Sequence, residues 1–206
     1  MPEQRPTERN FYRDKITKMF TEKHSILDIG GGLRMTEGGD RYRPEQTWLA
    51  ELIKKSDYKI MNPVADYGAE IIGDIHQMPF ADNSLDAIVC AAVLEHVENP
   101  ILAAKELFRT LKPGGYCYIY VPFLYYYHIP ESGLYKDYWR FTEDGLRSIF
   151  KDFSSIEVQP IRGAIETWFH LNPITQKFER LARFLDRITG KTKTKQVSGY
   201  AAFLVK

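Results

Sequence analysis

Strand and helix patterns alternate through the first 150 residues, and a glycine triplet closes the first strand. Together these predict an α/β domain built on a doubly wound parallel sheet. A third observation agrees: the helix pattern beginning at Asn99 leads straight into an apolar strand, as a βαβ unit requires. The 206 residues suffice for a full sheet covered on both faces, and 1–206 is read as a single domain.

Phe11, Ile16, Met19 and Phe20 recur at helical spacing within 7–22, so an amphipathic helix is expected before the sheet. SILDI (25–29) reads as a short buried strand ended by Gly30, Gly31 and Gly32. A polar stretch, LRMTEGGDRYR, follows. A helix is then expected from Pro44, with Glu45 at its start and Lys54 and Lys55 at its end, as the helix dipole prefers. YKIMN (58–62), EIIG (70–73) and LDAIVCA (85–91) are three further strands. In NPILAAKELFRTLKPGG, Asn99 caps a helix and Pro100 suits its first turn. Ile101, Ala104, Leu107, Phe108 and Leu111 line one face, and Pro113-Gly114-Gly115 is the expected stop. YCYIYVPF (116–123) is the next strand. Thr142 caps a short helix running to Phe150, and SSIEVQP (154–160) and GYAAFLVK (199–206) are closing strands.

A net charge of +1 provides no whole-molecule attraction to nucleic acid. The polar N-terminus lacks the apolar core of a secretory signal, and no apolar run approaches the ~18–20 residues that span a bilayer. Cys90 and Cys117 lie in apolar runs and are expected as buried free thiols. A cytoplasmic protein follows, peripheral to a membrane if the basic segment described below meets lipid.

In a doubly wound sheet, ligands bind beyond the carboxyl ends of the strands, where the strand order reverses. The LDIGGG turn sits at such an end, although glycine there also serves mere chain reversal. A dinucleotide fingerprint beginning at Gly30 would place its third glycine at position 35, which is Met35. Asn62 ends the second strand, where it can hydrogen-bond a ribose. Gly73-Asp74 ends the third, where the carboxylate can accept from an adenine amino group and the Ile75 N–H can meet a ring nitrogen.

ILDIGGG, GDIHQMPFADNSLDAIV, VLEHVENP and ELFRTLKPGGYCYIYVP, spread over about residues 25–122, resemble the class I S-adenosylmethionine-dependent methyltransferases, especially their small-molecule branch. The resemblance implies a Rossmann-like, seven-stranded, mostly parallel sheet whose last strand is antiparallel. It implies S-adenosylmethionine as cofactor, with Asp28, Gly30, Gly31 and Gly32 at the turn, Asn62 at the ribose, and Asp74 and Ile75 at the adenine. Position 62 departs from the family's usual Asp or Glu, which implies weaker binding. The expected function is methyl transfer to a small-molecule acceptor, most simply O-methylation. A catalytically idle cofactor-binding or scaffolding protein of the same fold is the alternative.

The segment VPFLYYYHIPESGLYKDYWRFT (121–142) is also similar to a methyltransferase subgroup carrying the run Asp137 to Thr142, DYWRFT. Loops after the fourth and fifth strands are where an acceptor pocket must form, because the cofactor occupies the other side. His128 is the candidate general base, since an unperturbed imidazole titrates near neutral pH. Asp137 and Arg140 either anchor a polar substrate or pair with each other to fix the loop. Tyr138, with Tyr125, Tyr126 and Tyr127, lines a pocket or packs. His96, in LEHV, caps a turn or reaches the methyl donor. Some quinone-type O-methyltransferases hold a metal on a Glu-His pair and an acid at the position of Ala92 here. That leaves only Glu95 and His96, and no catalytic metal is expected.

Residues 162–196 exceed what a hairpin needs. Phe178, Leu181, Leu185 and Ile188 share a helical face with Phe184 alongside, and seven Lys or Arg stand against two acids from 177 to 195. Such a helix either packs its stripe on the domain or meets an anionic membrane or lipid-linked acceptor as a lid.

Overall fold

The structure, a computed structural model, describes residues 8–31, 48–65, 68–129 and 133–206. Seven strands form one sheet in the order β3-β2-β1-β4-β5-β7-β6. They are β1 (Ser25–Ile29), β2 (Asp57–Asn62), β3 (Ile71–Ile72), β4 (Leu85–Ala91), β5 (Leu111–Pro122), β6 (Ser155–Ile161) and β7 (Gly199–Val205). The pairs β1–β2, β2–β3, β1–β4 and β4–β5 are parallel, whereas β7 runs antiparallel to both β5 and β6. The strand order reverses between β1 and β4, and that point positions the site.

Alternation along the strands sends side chains to two separate cores. On one face, Phe11, Ile16, Met19 and Phe20 of α1 (Glu8–Glu22) pack with Ile26, Ala87, Val89, Tyr118 and Phe203. The four helical residues anticipated from spacing are all buried. On the other face, Ala103, Ala104 and Leu107 of α3 (Pro100–Thr110) and Leu146 of α4 (Glu143–Ile149) meet Leu27, Ile88, Cys90, Cys117 and Ile119. Each fully buried Leu or Ile contributes about 1.5–3 kcal/mol, so these paired cores hold the sheet flat-sided between helices. Both cysteines are free and buried.

Asn99 Oδ1 accepts from Leu102 N at 3.1 Å and Thr142 Oγ1 from Gly145 N at 3.0 Å, so both expected caps form. Two details differ. The α3 helix ends at Thr110, before Pro113, because Leu111 already pairs with Leu85 and a bulge takes up the residues before Tyr116. Ile101 is exposed, since the helix face that meets the sheet runs through Pro100, Ala103, Ala104 and Leu107. The expected helix at Pro44 starts outside the described residues; within them the segment forms the single turn α2 (Ala50–Ile53).

The segment between β6 and β7 is a helical hairpin of α5 (Ala164–Leu171) and α6 (Glu179–Thr189). Asp186, 1% exposed, reaches from α6 to the start of α5, where its carboxylate accepts from Ile165 N and Glu166 N at 2.9 Å each. A carboxylate at a helix N-terminus satisfies orphan amides and meets the positive end of the dipole. Arg183 pairs with Glu166, and Glu179 Oε1 lies 2.7 Å from His170 Nδ1. These polar ties hold Ala182 and Asp186 against α5. The apolar stripe is therefore turned outward, with Phe178, Leu181, Phe184 and Ile188 exposed and Leu185 half-buried.

Candidate active site

The parallel strands β3, β2, β1 and β4 present their carboxyl ends along one edge. Asp28, in β1, is fully buried, and Tyr58 Oη donates to its Oδ2 at 2.6 Å. Burial and that carboxylate push the Tyr58 phenol far above its usual value. Gly30 has φ +66, a left-handed conformation that suits glycine, and an added Cβ would lie 2.7 Å from Val93 Cγ2. At Gly31 an added Cβ would sit 1.9 Å from Asp28 Oδ1, so the turn folds directly over the carboxylate. Gly31→Ala is expected to displace this turn and weaken binding of a ligand at it by at least tenfold, measurable by calorimetry. Gly32 lies outside the described residues.

Asn62 ends β2, largely buried, and its carbonyl accepts from Gly73 N at 3.0 Å. The Asp74 side chain is exposed at the end of β3; its Oδ1 accepts from His76 N at 2.9 Å and faces His76 Nδ1 at 2.7 Å. Partial burial works against the charge, but the His76 amide and ring hold the Asp74 carboxyl below its usual range. His76 Nε2 in turn accepts from Asn99 N at 3.2 Å, which links the third strand's end to the start of α3. The Ile75 side chain is buried in the core, leaving its backbone as the group a ligand can meet.

Past β4 the chain turns sharply at Ala92, whose φ is +57. A single turn, Leu94–His96, then carries Glu95 and His96 over the sheet edge. The loop after β5 docks on this turn: Tyr138 N and Trp139 N donate to the Glu95 carbonyl at 2.8 and 3.2 Å, and Trp139 Nε1 to the Val97 carbonyl at 2.9 Å. His96 and His128 thereby come edge to face, with ring centroids 5.0 Å apart. Glu95 Oε1 lies 3.9 Å from Nε2 of each. His96 Nδ1 is 2.7 Å from the Lys136 carbonyl, which can only accept, so that nitrogen carries the proton. His128 Nδ1 likewise faces acceptors, the Tyr126 carbonyl at 3.3 Å and Asp137 Oδ2 at 3.4 Å. That leaves each Nε2, 3.9 Å from Glu95 Oε1, as the unprotonated nitrogen. Burial, with the nearby His128 and Arg140, holds the His96 imidazole below its usual value, against the pull of the Lys136 carbonyl and Asp137.

Asp137 and Arg140 form a bidentate pair at 2.5 and 2.7 Å. Asp137 Oδ2 also accepts from His128 N at 2.8 Å, and Arg140 donates to the carbonyls of Tyr126 and Trp139 at 2.8 Å each. Of the two roles open to this pair, fixing the loop is the one its contacts carry. Tyr138 stands apart from the histidines, its hydroxyl donating to Glu98 at 3.2 Å. Tyr125 and Tyr126 stack at 4.3 Å and lie 5.3 and 5.9 Å from the His170 ring, which joins the α5–α6 hairpin to the loop. Sequence spacing did not place Glu95 and His170 in this neighbourhood as partners of the loop; both signals are tertiary.

The sequence model of the "Methyltransferase domain" family matches residues 49–119. The match stops before Asp137–Thr142. An uncharacterized methyltransferase of Schizosaccharomyces pombe is 27% identical over 54% of this chain and 52% of its own length. The chain thus spans about half the length of that curated relative. Among solved structures, an S-adenosylmethionine-dependent methyltransferase from Archaeoglobus fulgidus superimposes with a TM-score of 0.62 at 14% identity, covering 95% of this chain and 92% of that one. The phosphoethanolamine N-methyltransferase 2 of Haemonchus contortus, solved with phosphomonomethylethanolamine and S-adenosylhomocysteine, gives 0.53 at 16% identity, covering 95% of this chain and 52% of its own. These likenesses describe a shared fold.

Proposed function

We propose that the chain is a class I S-adenosylmethionine-dependent methyltransferase, a reading supported by the methyltransferase-domain match and the shared fold, that it binds S-adenosylmethionine across β1–β3, and that it methylates a small-molecule acceptor held between the turn after β4 and the chain that follows β5. One observation carries this: the glycine turn, Asn62 and Asp74 share an edge with the Glu95–His96–His128 centre, on either side of the reversal between β1 and β4. Asp28 orders the turn, Asn62 takes the ribose, and Asp74 with the Ile75 N–H takes the adenine.

Oxygen is the acceptor atom that suits the centre. A hydroxyl must lose its proton as it attacks the methyl carbon, and two imidazole lone pairs beside a carboxylate are able to take it. The His128 backbone and ring are both oriented by Asp137, the geometry of a positioned base. Asn62, standing where the family usually has an acid, is the observation favouring an idle cofactor-binding protein. Methyl-labelled S-adenosylmethionine offered with phenol, sugar and lipid-linked glycan acceptors decides between them. Label transfer to one class supports the enzyme; binding without transfer to any supports the idle protein.

We further propose that the α5–α6 hairpin rests on an anionic lipid surface. Trp168, Ile174, Phe178, Leu181, Phe184 and Ile188 are exposed, with Ile174 at 77%, among Lys177, Arg180, Arg187 and Lys191. The hairpin leaves the sheet at the carboxyl end of β6, next to the acceptor loop, which suits an acceptor delivered from lipid. Among the described residues no helix is long and apolar enough to cross a membrane, so the contact is peripheral. The double change Leu181→Glu with Phe184→Glu is expected to reduce partitioning onto anionic vesicles at low salt at least tenfold in a flotation assay. Failure of the native chain to bind such vesicles removes this part of the proposal.

A further inference from the structure

We propose that Glu95, His96 and His128 bind one divalent transition-metal ion, with a coordination position left for the acceptor. This rests on the proposed function and deepens it, because it makes the ion the group that acidifies the acceptor hydroxyl. One carboxylate and two imidazoles offer ligand atoms that all lie within 4.8 Å of one another. The two Nε2 atoms are each 3.9 Å from Glu95 Oε1. A tetrahedral ion with bonds of about 2.1 Å has ligand–ligand edges of about 3.4 Å, so small side-chain rotations complete the site.

The surroundings already do what outer partners of metal ligands do. The Lys136 carbonyl fixes the His96 tautomer, and Asp137 with the Tyr126 carbonyl fixes that of His128, so each Nε2 is left unprotonated. Glu95 is 1% exposed, so an ion held on its Oε1 would be shielded from bulk water. The amides of Tyr138 and Trp139 lock the ligand-bearing turn to the loop that carries His128. The pair Glu95–His96 alone lacks a third ligand, and Ala92 offers none; the fold supplies it from the loop after β5, the next strand.

Three protein ligands leave a fourth position, as in catalytic rather than structural zinc sites. An acceptor hydroxyl held there loses its proton to water more readily. Its oxygen then bonds to the methyl carbon as the carbon–sulfur bond breaks, the electron pair stays on sulfur, and the sulfonium becomes a neutral thioether.

The test is titration of the chelator-treated protein with Co2+ alone, followed by the visible absorption of the bound ion, and competition by Zn2+. One equivalent should bind with d–d bands of a low-coordinate site, and His128→Ala and Glu95→Gln should each weaken binding at least tenfold, with circular dichroism reporting that the fold is kept. Should Glu95→Gln not fold, the partly exposed His128 decides the matter. Absence of cobalt bands, or bands unchanged in His128→Ala, overturns the proposal. If that happens while methyl transfer persists, His128 acts as a bare base; if S-adenosylmethionine itself does not bind, the functional assignment fails instead.

Discussion

Replacing His128 by alanine is expected to lower kcat about 10²–10⁴-fold, whether its Nε2 takes the acceptor's proton itself or holds the ion that acidifies the acceptor, with little change in affinity for S-adenosylmethionine. The two effects separate because the cofactor residues sit on β1–β3, whereas His128 belongs to the loop after β5. Its removal takes away one of the two Nε2 atoms near Glu95 and leaves the turn at Ala92 untouched. Steady-state kinetics on an identified acceptor check this, read alongside a binding isotherm for the cofactor. A fall in cofactor affinity equal to the fall in kcat would place His128 in the cofactor pocket instead.

Asp137→Ala should be the most destabilising change in the loop. The Asp137 side chain is fully buried, and it meets Arg140 in two bonds and His128 N in a third. Removing one partner of a buried pair leaves a guanidinium without its counter-charge and costs about 3–5 kcal/mol, on the order of 10 °C in Tm for a chain of this size. The sign of the pH dependence follows from the carboxyl. Burial opposes its ionisation, but Arg140 and the His128 amide outweigh that and hold it below the usual range. The stabilisation is therefore fully present above the unfolded value, about 3.9, and is lost as pH falls through the lower folded value. The difference in Tm between native and Asp137→Ala proteins should be largest near neutrality and close in acid. Asp137→Asn should fall between them, since it keeps an acceptor for the His128 amide but not the charge.

What was legible in the sequence was local. SILDI and its glycine turn, the caps at Asn99 and Thr142, and the buried face of α1 each follow from a few adjacent residues, and each is present. The antiparallel β7, implied by resemblance, is also found. The end of α3 was misplaced because cross-strand pairing of Leu111 with Leu85 outweighs the helix-stopping chemistry of Pro113. Helical periodicity located the apolar stripe of α6 but could not say which way it faces. That direction is set by Asp186, drawn inward to the amides at the start of α5. The histidine centre was hidden for a different reason. His96 and His128 meet only because two loop amides close on the Glu95 carbonyl, a contact without a one-dimensional pattern.

The most direct test of methyl-donor binding is calorimetric titration of the purified protein with S-adenosylmethionine and S-adenosylhomocysteine, beside Asp74→Ala. One site of micromolar affinity for both ligands, lost or strongly weakened by the substitution, is the expected result. No heat from either ligand would contradict it, and would mean that Asn62, standing where the family usually has an acid, marks a site that no longer holds the cofactor.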